Sequence, residues 1–317
     1  MKKTLLGITI FIVFGILVLL LTNSYSGKLT VVADTTASTV TKKLEGKPLT
    51  FSIIQTGKAV TQEAFIYQGG SFLKQRTVSH VAVWVKHAKG NFLFDTGLGD
   101  KIDEQHAEMS LFHATAFAYE KEKSVKEQLI QQGISPDTIK TIVLSHLHWD
   151  HASGIKDFPS ANIVTTNEEY SFATTEDAHS PAFLKSQYNG SAIRWDFLNF
   201  EKKPYKCFDE YVDYFGDGSV VFVKLVGHTK GSLGMFLTTS EGKQFFFTGD
   251  TTWSLEGFLN PSPKHFFPSM YVDLEKERLN ETIISIHHLM KKDTALIVVP
   301  AHDFQAQKQL AHFPVFQ

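Results

Sequence analysis

The feature that most constrains this chain is a run of six residues, His146-Leu147-His148-Trp149-Asp150-His151. It directly follows a short apolar run that predicts a β-strand. In an extended segment alternate side chains face the same side, so His146 and His148 can bind one ion together. Asp150 and His151 follow at the turn, where they can face a second ion. Imidazole and carboxylate ligands without thiolate are typical of zinc, with manganese, iron and cobalt as alternatives.

Three further apolar runs also end in a residue that can bind a metal. They are Val220–Val226 before Gly227-His228, Phe245–Phe247 before Thr248-Gly249-Asp250, and Ala295–Val299 before Pro300-Ala301-His302. Each is a weak signal alone, because a histidine at a strand end more often serves packing. Together with the first segment they place metal-binding residues at one edge of a sheet, where the sites of layered α/β folds gather.

The order of apolar runs predicts alternating strands and helices from about residue 49. The other predicted strands are Leu49–Ile54, Val81–Val85, Phe92–Phe94, Thr141–Leu144, Asn162–Thr165 and Leu233–Thr238. Ser124–Gln132 and Glu275–Met290 predict helices, and Asn167 is expected to cap another. Residues 175–215 have weak periodicity and are interpreted as loops and a hairpin. The order indicates two similar halves and sheets sandwiched between helices.

The set of HxHxDH, Gly-His, Gly-Asp and a final His resembles the pattern of the metallo-β-lactamase superfamily, over about residues 49–310. The resemblance implies an α/β fold, an αββα sandwich of two β-sheets flanked by helices. It implies that His146, His148 and His228 bind one ion, that Asp150, His151 and His302 bind a second, and that Asp250 bridges both. Asp95, in Phe94-Asp95-Thr96-Gly97, resembles the family's DTG element and would orient a ligand imidazole.

Two zinc ions held in this way would lower the pKa of a water between them, and the resulting hydroxide could attack a lactone or ester carbonyl. Asp150 and Asp250 are the expected catalytic residues, and the expected substrate is a small molecule. Within the family the pattern resembles N-acyl-homoserine lactonases and parathion-hydrolase-like esterases. An arylester or phosphotriester hydrolase, and an iron-dependent redox enzyme, remain alternatives. Lactonases of the best-known type carry tyrosine where Trp253 stands, and an indole has one N–H and no acidic hydroxyl.

Two aromatic-rich segments surround these motifs in the sequence. One contains Phe112, His113, Phe117 and Tyr119, and the other contains Phe258, Phe266, Phe267 and Tyr271. Such loops either roof the metal site and accept an acyl or aromatic group, or simply pack on the core. The sequence leaves both interpretations open.

Charge and cysteine content exclude other classes of function. The formal net charge is −2, so no basic field indicates nucleic acid as a partner. The single cysteine, Cys207, excludes both an intrachain disulfide framework and a cysteine-rich zinc site.

The amino-terminal residues predict a segment separate from the fold. Lys2 and Lys3 precede the apolar run Leu5–Leu21, which is typical of a signal peptide or a membrane anchor. We therefore expect residues 1–26 to be that segment, 27–48 a linker and 49–317 the hydrolase domain. The basic start predicts that the domain lies outside the cytoplasm, in the periplasm or at the cell surface. It would be secreted, or membrane-anchored if the segment is not cleaved.

Overall fold

The structure, a computed structural model, describes residues 13–15, 17–18, 29–30, 49–175 and 180–317. The predicted leader and linker therefore lie almost entirely outside the described residues. Within the part of the chain that is described, no helix is both long and apolar enough to cross a membrane.

The strands form one seven-stranded and one five-stranded sheet, each of mixed direction. In chain order they are β1 (Leu49–Gln62), β2 (Gln75–His87), β3 (Gly90–Phe94), β4 (Glu120–Lys121), β5 (Thr141–Val143), β6 (Asn162–Thr165), β7 (Arg194–Phe197), β8 (Tyr211–Asp213), β9 (Val220–Lys224), β10 (Leu233–Thr238), β11 (Gln244–Phe247) and β12 (Ile297–Val299). The first sheet has the order β4-β1-β2-β3-β5-β6-β7, and the second has the order β12-β11-β10-β9-β8.

Most helices between the strands are short. They are α1 (Glu63–Ile66), α2 (Ile102–His106), α3 (Leu111–Ala116), α4 (Val125–Gln131), α5 (Trp149–Ala152), α6 (Asn167–Thr174), α7 (Lys185–Tyr188), α8 (Glu256–Leu259), α9 (Phe266–Val272), α10 (Lys276–Lys292) and α11 (Phe304–Gln307). Helix α4 begins in a reciprocal capping box between Ser124 and Glu127, as the predicted Ser124–Gln132 helix requires.

Alternation of side chains along the strands builds the four layers. Phe92 and Phe94 of β3 face the core between the sheets, whereas Leu93 faces the helices outside the first sheet. On β9, Phe222 belongs to the core between the sheets, and Val223 packs in the cluster that includes α10. Both sheets are therefore buried on both faces, and the predicted αββα sandwich is confirmed.

The chain direction brings the predicted strand ends to one edge of the sandwich. β3 and β5 are parallel neighbours in the first sheet, as β11 and β12 are in the second. β9 has the direction of β11, because both pair antiparallel with β10. The residues that follow these five strands include every metal-binding residue predicted from the sequence.

Two sequence predictions need correction. Asn167 is the first residue of α6, and the cap is Thr166, whose hydroxyl accepts the Glu169 N–H. The hairpin in the 175–215 region is limited to antiparallel bridges, Glu201 with Tyr211 and Tyr205 with Phe208. The strands on either side of it join different sheets, β7 beside β6 and β8 beside β9.

Candidate metal centre

Three imidazole rings converge at the edge of the sandwich, and we call His146, His148 and His228 the imidazole group. Nε2 of His228 lies 3.1 Å from Nε2 of His146 and 3.0 Å from Nδ1 of His148. The strand β5 ends just before the first two rings, and β9 leads to the third. All three rings are buried, so water cannot satisfy their nitrogens.

The hydrogen bond behind His228 leaves a lone pair on the nitrogen that faces the other two rings. Nδ1 of His228 donates to Oδ1 of Asp273 at 2.7 Å, so its Nε2 carries a lone pair. Burial lowers the pKa of all three histidines, and nearby imidazoles lower the pKa of His146 and His148 further. The lone pair of His228 can accept a hydrogen from only one of the two neighbouring rings, whereas a cation between the three nitrogens would satisfy all of them. The imidazole group therefore fits a zinc ion, which takes imidazole ligands readily.

A second set lies beside the first, and we call Asp150, His151, Asp250 and His302 the carboxylate group. Nε2 of His302 lies 3.0 Å from Oδ2 of Asp250 and 3.3 Å from Oδ2 of Asp150. Nε2 of His151 lies 3.2 Å from Oδ1 of Asp250. Oδ2 of Asp250 also lies 3.5 Å from Nε2 of His228, so this one carboxylate reaches both groups.

Two buried atoms of the carboxylate group lie close together without a well-aligned hydrogen bond between them. Oδ1 of Asp250 and Nε2 of His151 are only 3.2 Å apart, yet neither has a hydrogen-bond partner among the described residues. Buried polar atoms are rarely left unsatisfied. Two ligands of one ion are expected to have this arrangement, and the group therefore fits a second metal ion.

The charges of the carboxylate group differ from those of the imidazole group. Burial would lower the pKa of His151 and of His302, but the neighbouring carboxylates raise both above the ordinary value. Burial would raise the pKa of Asp150 and Asp250, but the adjacent imidazoles lower both below the ordinary value. The carboxylates of this group therefore favour the protonated form of its imidazoles.

Asp95 lies where the sequence places it, behind a ring of the carboxylate group. Its Oδ2 accepts from Nδ1 of His151 at 2.9 Å. Its Oδ1 accepts the backbone N–H of Ser145 at 2.7 Å, which ties the start of the HxHxDH segment to the end of β3. Asp95 therefore fixes the tautomer and the direction of His151.

A buried ion pair that could not be predicted from the sequence supports the imidazole group. Nζ of Lys264 donates to Oδ1 of Asp273 at 2.8 Å and to the carbonyl of Asp250 at 2.6 Å. Burial would raise the pKa of Asp273, but Lys264 and His228 outweigh burial and lower it to about 2. Asp273 thus remains an anion that orients His228, while Lys264 neutralises it.

Glu169 joins the two loops that carry the imidazole group, and it too was missed. Its carboxylate is buried and accepts the N–H groups of Leu147 at 2.8 Å and Gly231 at 3.0 Å. The Thr229 hydroxyl donates to the same carboxylate at 2.6 Å. Burial raises the pKa of Glu169. A single side chain therefore sets the spacing between the HxHxDH segment and the loop of His228.

Trp253 contacts the centre through its one polar atom. Its Nε1–H donates to Oδ2 of Asp250 at 2.9 Å. Its ring stands edge-on to His302, with centroids 5.8 Å apart and planes at 85°. The indole thus holds the carboxylate that joins the two groups.

A pocket of about 230 Å³ opens onto the carboxylate group. Its polar floor includes His148, Asp150, Asp250 and His302, and Trp253 forms part of its wall. The apolar side chains that line the rest are Ala59, Val60, Val78, Ala116, Phe117, Ala118, Ala182 and Val272. Among the described lining residues none is lysine or arginine. A larger cavity, of about 560 Å³, lies beside β1 and α4 and contains no residue of either group.

The aromatic segments divide between the two roles left open by the sequence. Phe117 lines the pocket. Phe258 does not, because it is fully buried in the core cluster beside α10. Phe112, Phe267 and Tyr271 contact one another and join α3 to α9. The structure thus brings together all seven predicted ligands, whose role as ligands stays a prediction, and adds His80, whose Nδ1 lies 3.0 Å from Oδ2 of Asp150.

Comparisons with known proteins agree with this geometry. The family model that describes the metallo-beta-lactamase superfamily matches residues 76–302. N-acyl homoserine lactonase AttM of Rhizobium radiobacter is 28% identical over 138 residues, which cover 43% of this chain and 50% of that relative. The chain thus spans half the length of this relative.

Two further matches cover a larger share of this chain and of the matched protein. N-acyl homoserine lactonase AiiA of Bacillus thuringiensis subsp. kurstaki is 22% identical over 246 residues, 75% of this chain and 87% of the relative. The crystal structure of a quorum-quenching N-acyl homoserine lactone lactonase superposes with a TM-score of 0.65 at 18% identity. That superposition covers 88% of this chain and 100% of the other, and it shows a shared fold.

Proposed function

This chain belongs to the metallo-β-lactamase superfamily, and from that premise we propose that it is a metal-dependent hydrolase that opens lactone rings or cleaves carboxylic esters. The observation that carries the proposal is the position of Asp250. Its carboxylate lies within 3.5 Å of the imidazole group and within 3.2 Å of two rings of the carboxylate group. A site built of two adjoining groups, with a pocket that reaches residues of both, suits hydrolysis better than a closed structural metal site.

The pocket supports an uncharged, partly apolar substrate. Small apolar side chains line much of its wall, and the described lining residues include no lysine or arginine that could pair with an anionic group. A neutral acyl compound fits this lining better than a phosphate monoester or a nucleic acid does. The names of the relatives, N-acyl homoserine lactonases, support a lactone of this kind.

We propose two zinc ions for the centre, with manganese, iron or cobalt as alternatives. His146, His148 and His228 would hold the first ion, and Asp150, His151 and His302 the second, with Asp250 shared between them. Bound there, the ions would lower the pKa of a coordinated water and act as Lewis acids toward the substrate's carbonyl.

The chain's own residues have two tasks in the reaction. Ring opening adds water at the carbonyl carbon and breaks the bond to the ring oxygen, which must then take up a proton. Asp150 forms part of the pocket floor and is kept ionised by its neighbours, so it can accept a proton from the attacking water and pass it to that oxygen. Asp250 aligns the two groups, and the apolar wall excludes competing water.

Trp253 favours a second candidate, a hydrolase of aryl esters or neutral phosphotriesters. Its indole N–H is already bound to Asp250, so it is not free to polarise a carbonyl oxygen. A substrate with a good leaving group needs less of that assistance. The same pocket, without cationic lining among the described residues, admits a neutral phosphotriester.

Turnover of a defined panel tests the proposal and separates the two candidates. The full chain, loaded with zinc or manganese, would be followed by proton release on acyl-homoserine lactones of short and long chain, aryl esters, a phosphotriester and a β-lactam. We expect lactone opening that a chelator abolishes and added metal restores. Ester or phosphotriester turnover without lactone opening would favour the second candidate. Metal-independent turnover, or none on any substrate, would contradict the proposal.

We also propose that the domain lies outside the cytoplasm. This proposal rests on the amino-terminal sequence alone, two lysines followed by an apolar run. Accessibility of a tag at the carboxyl end to a protease added to spheroplasts, from which any outer membrane or cell wall has been removed, would test it. Full protection of that tag, with cleavage only after lysis, would contradict it.

A further inference from the structure

His80 is a histidine beside the carboxylate group that the ligand pattern does not include. It lies on β2, is 5% exposed, and places Nδ1 3.0 Å from Oδ2 of Asp150. Its ring centroid lies 5.4 Å from that of His302, the same separation as between His151 and His302. His80 is therefore as close to the centre as a predicted ligand.

The fold holds His80 in place through its backbone. The pairing of β1 with β2 shifts register between Gln55 and Gly57, opposite His80. The Thr56 hydroxyl at this bulge donates to the His80 carbonyl at 3.0 Å and accepts the Leu98 N–H at 2.8 Å. A bulge of this kind directs a side chain toward a site.

The preceding residue supports another member of the carboxylate group. The carbonyl of Ser79 accepts from Nδ1 of His302 at 2.7 Å. Two consecutive residues of β2 thus contact His302 and Asp150, and His80 also lines the pocket. This strand serves the carboxylate group as Asp273 and Glu169 serve the imidazole group.

The hydrogen-bond partners distinguish a supporting residue from a ligand. A carboxylate oxygen only accepts, so Nδ1 of His80 must carry the proton that it shares with Asp150. Nε2 is buried and has no partner among the described residues. If Nδ1 instead bound a metal, the bond to Asp150 would be lost and the proton would move to Nε2. His80 would then lack an outer partner of the kind that holds Nδ1 of His151, His228 and His302.

We propose that His80 is a positioning residue for the second metal ion: its Nδ1–H holds Asp150 in the direction that binds this ion. The inference rests on the proposed function, because it assumes that the carboxylate group binds a metal. It predicts that the loss of His80 weakens the binding of the second ion and leaves the binding of the first unchanged.

Cobalt titration of the full chain tests this inference without any substrate. His80→Leu removes the donor, and His80→Asn keeps an amide nitrogen at the position of Nδ1. For His80→Leu we expect the second cobalt ion to bind about 10- to 100-fold more weakly, the range for outer-sphere partners, with the first ion unaffected. His80→Asn should recover most of the affinity, together with the absorption spectrum of the doubly loaded wild type.

His287→Leu is the matched control. This histidine is equally buried, and its Nδ1 lies 2.7 Å from the Phe258 carbonyl, on α10 outside the second sheet. Cobalt binding in the control should equal that of the wild type. If His80→Leu does not fold, His80→Gln takes its place, because its amide nitrogen lies one bond farther out and should not reach Asp150.

Several results would overturn the inference. One is unchanged binding of the second ion in His80→Leu. Another is an equal loss of affinity for the second ion in His80→Asn and His80→Leu, which would indicate that His80 is a direct ligand or acts through packing. Equal weakening of both ions would also do so. A wild type that binds no cobalt would instead overturn the proposed function, and this inference with it.

Discussion

The imidazole group and the carboxylate group lie side by side, but they differ in how the protein prepares them for a metal. In the imidazole group, burial lowers the pKa of every ring, so His146, His148 and His228 are ready to bind as neutral ligands. In the carboxylate group, Asp150 and Asp250 raise the pKa of His151 and His302. An ion must displace protons there before it can bind.

The contacts that support the two groups also differ in kind. Behind the imidazole group lies a fully buried ion pair, Lys264 with Asp273. Behind the carboxylate group, Asp95, His80 and Trp253 each contact one of its members through a hydrogen bond. The first group is therefore a nearly neutral site, whereas the second is a charged site where a metal ion would have to compete with protons.

Replacement of Asp250 should have the largest effect, because this residue joins the two groups. Asp250→Asn keeps the shape of the side chain but loses its charge. We expect turnover to fall by more than about 100-fold, beyond the range for loss of an outer-sphere partner, with metal lost from both groups. Metal analysis and kinetics on the same preparation would measure this. Asp137→Asn, an exposed carboxylate, is the control, and an active Asp250→Asn variant would mean that the groups work independently.

Breaking the buried ion pair should affect the imidazole group and the fold together. Asp273→Asn leaves Lys264 as an unpaired buried charge, which typically costs about 3–5 kcal/mol of stability. Adding Lys264→Met should restore much of the stability but not the binding of the first ion, because His228 would still lack its carboxylate. Urea unfolding and metal titration of both variants would separate the two effects. Full recovery of metal binding in the double variant would show that Asp273 acts only through stability.

The residues that could be predicted from the sequence are those that follow directly from a strand. A strand end fixes the position of the next two or three residues, so the segment after β5 and the histidine or aspartate after β9, β11 and β12 could be placed at one edge. The layers followed in the same way from the apolar runs. β1 and β2 extend well beyond those runs, because their outer halves pair with each other through residues 57–62 of β1, where polar and apolar side chains are mixed.

The supporting residues could not be found in this way, because only the folded chain brings them to the site. His80 is 70 residues from Asp150, and Asp273 is 45 residues from His228. Neither lies in a pattern that differs from an ordinary strand or loop. Only a buried charge such as Lys264 is unusual, and burial of a single lysine is not visible in a sequence. Long-range contacts therefore determine how each group is tuned.

The pH dependence of metal binding should differ between the groups. The pKa of His151 is raised well above its ordinary value, so at neutral pH an incoming ion must displace its proton. Affinity for the second ion should rise with pH, by up to about tenfold per pH unit for each proton displaced, until the raised pKa is passed. The pKa values of the imidazole group are lowered, so the first ion should be insensitive near neutrality. Calorimetric titrations in buffers of different ionisation enthalpy would count the protons, and equal release for both ions would contradict the comparison.

The smallest expected effect is that of the Trp253 indole, and it probes the contact between the two groups most finely. Trp253→Phe removes the N–H that donates to Oδ2 of Asp250 and keeps an aromatic ring beside His302. Once metal neutralises the carboxylate, this bond should be worth a typical net hydrogen bond, about 0.5–1.5 kcal/mol, or roughly 2- to 10-fold in metal affinity. Trp195→Phe, on β7 at the edge of the first sheet, is the control.

Trp253→Tyr tests what the indole does in catalysis, because it removes the bond to Asp250 and introduces a hydroxyl. If lactone turnover rises in that variant while metal affinity falls, the wild-type indole serves to hold the Asp250 carboxylate and does not polarise the substrate's carbonyl.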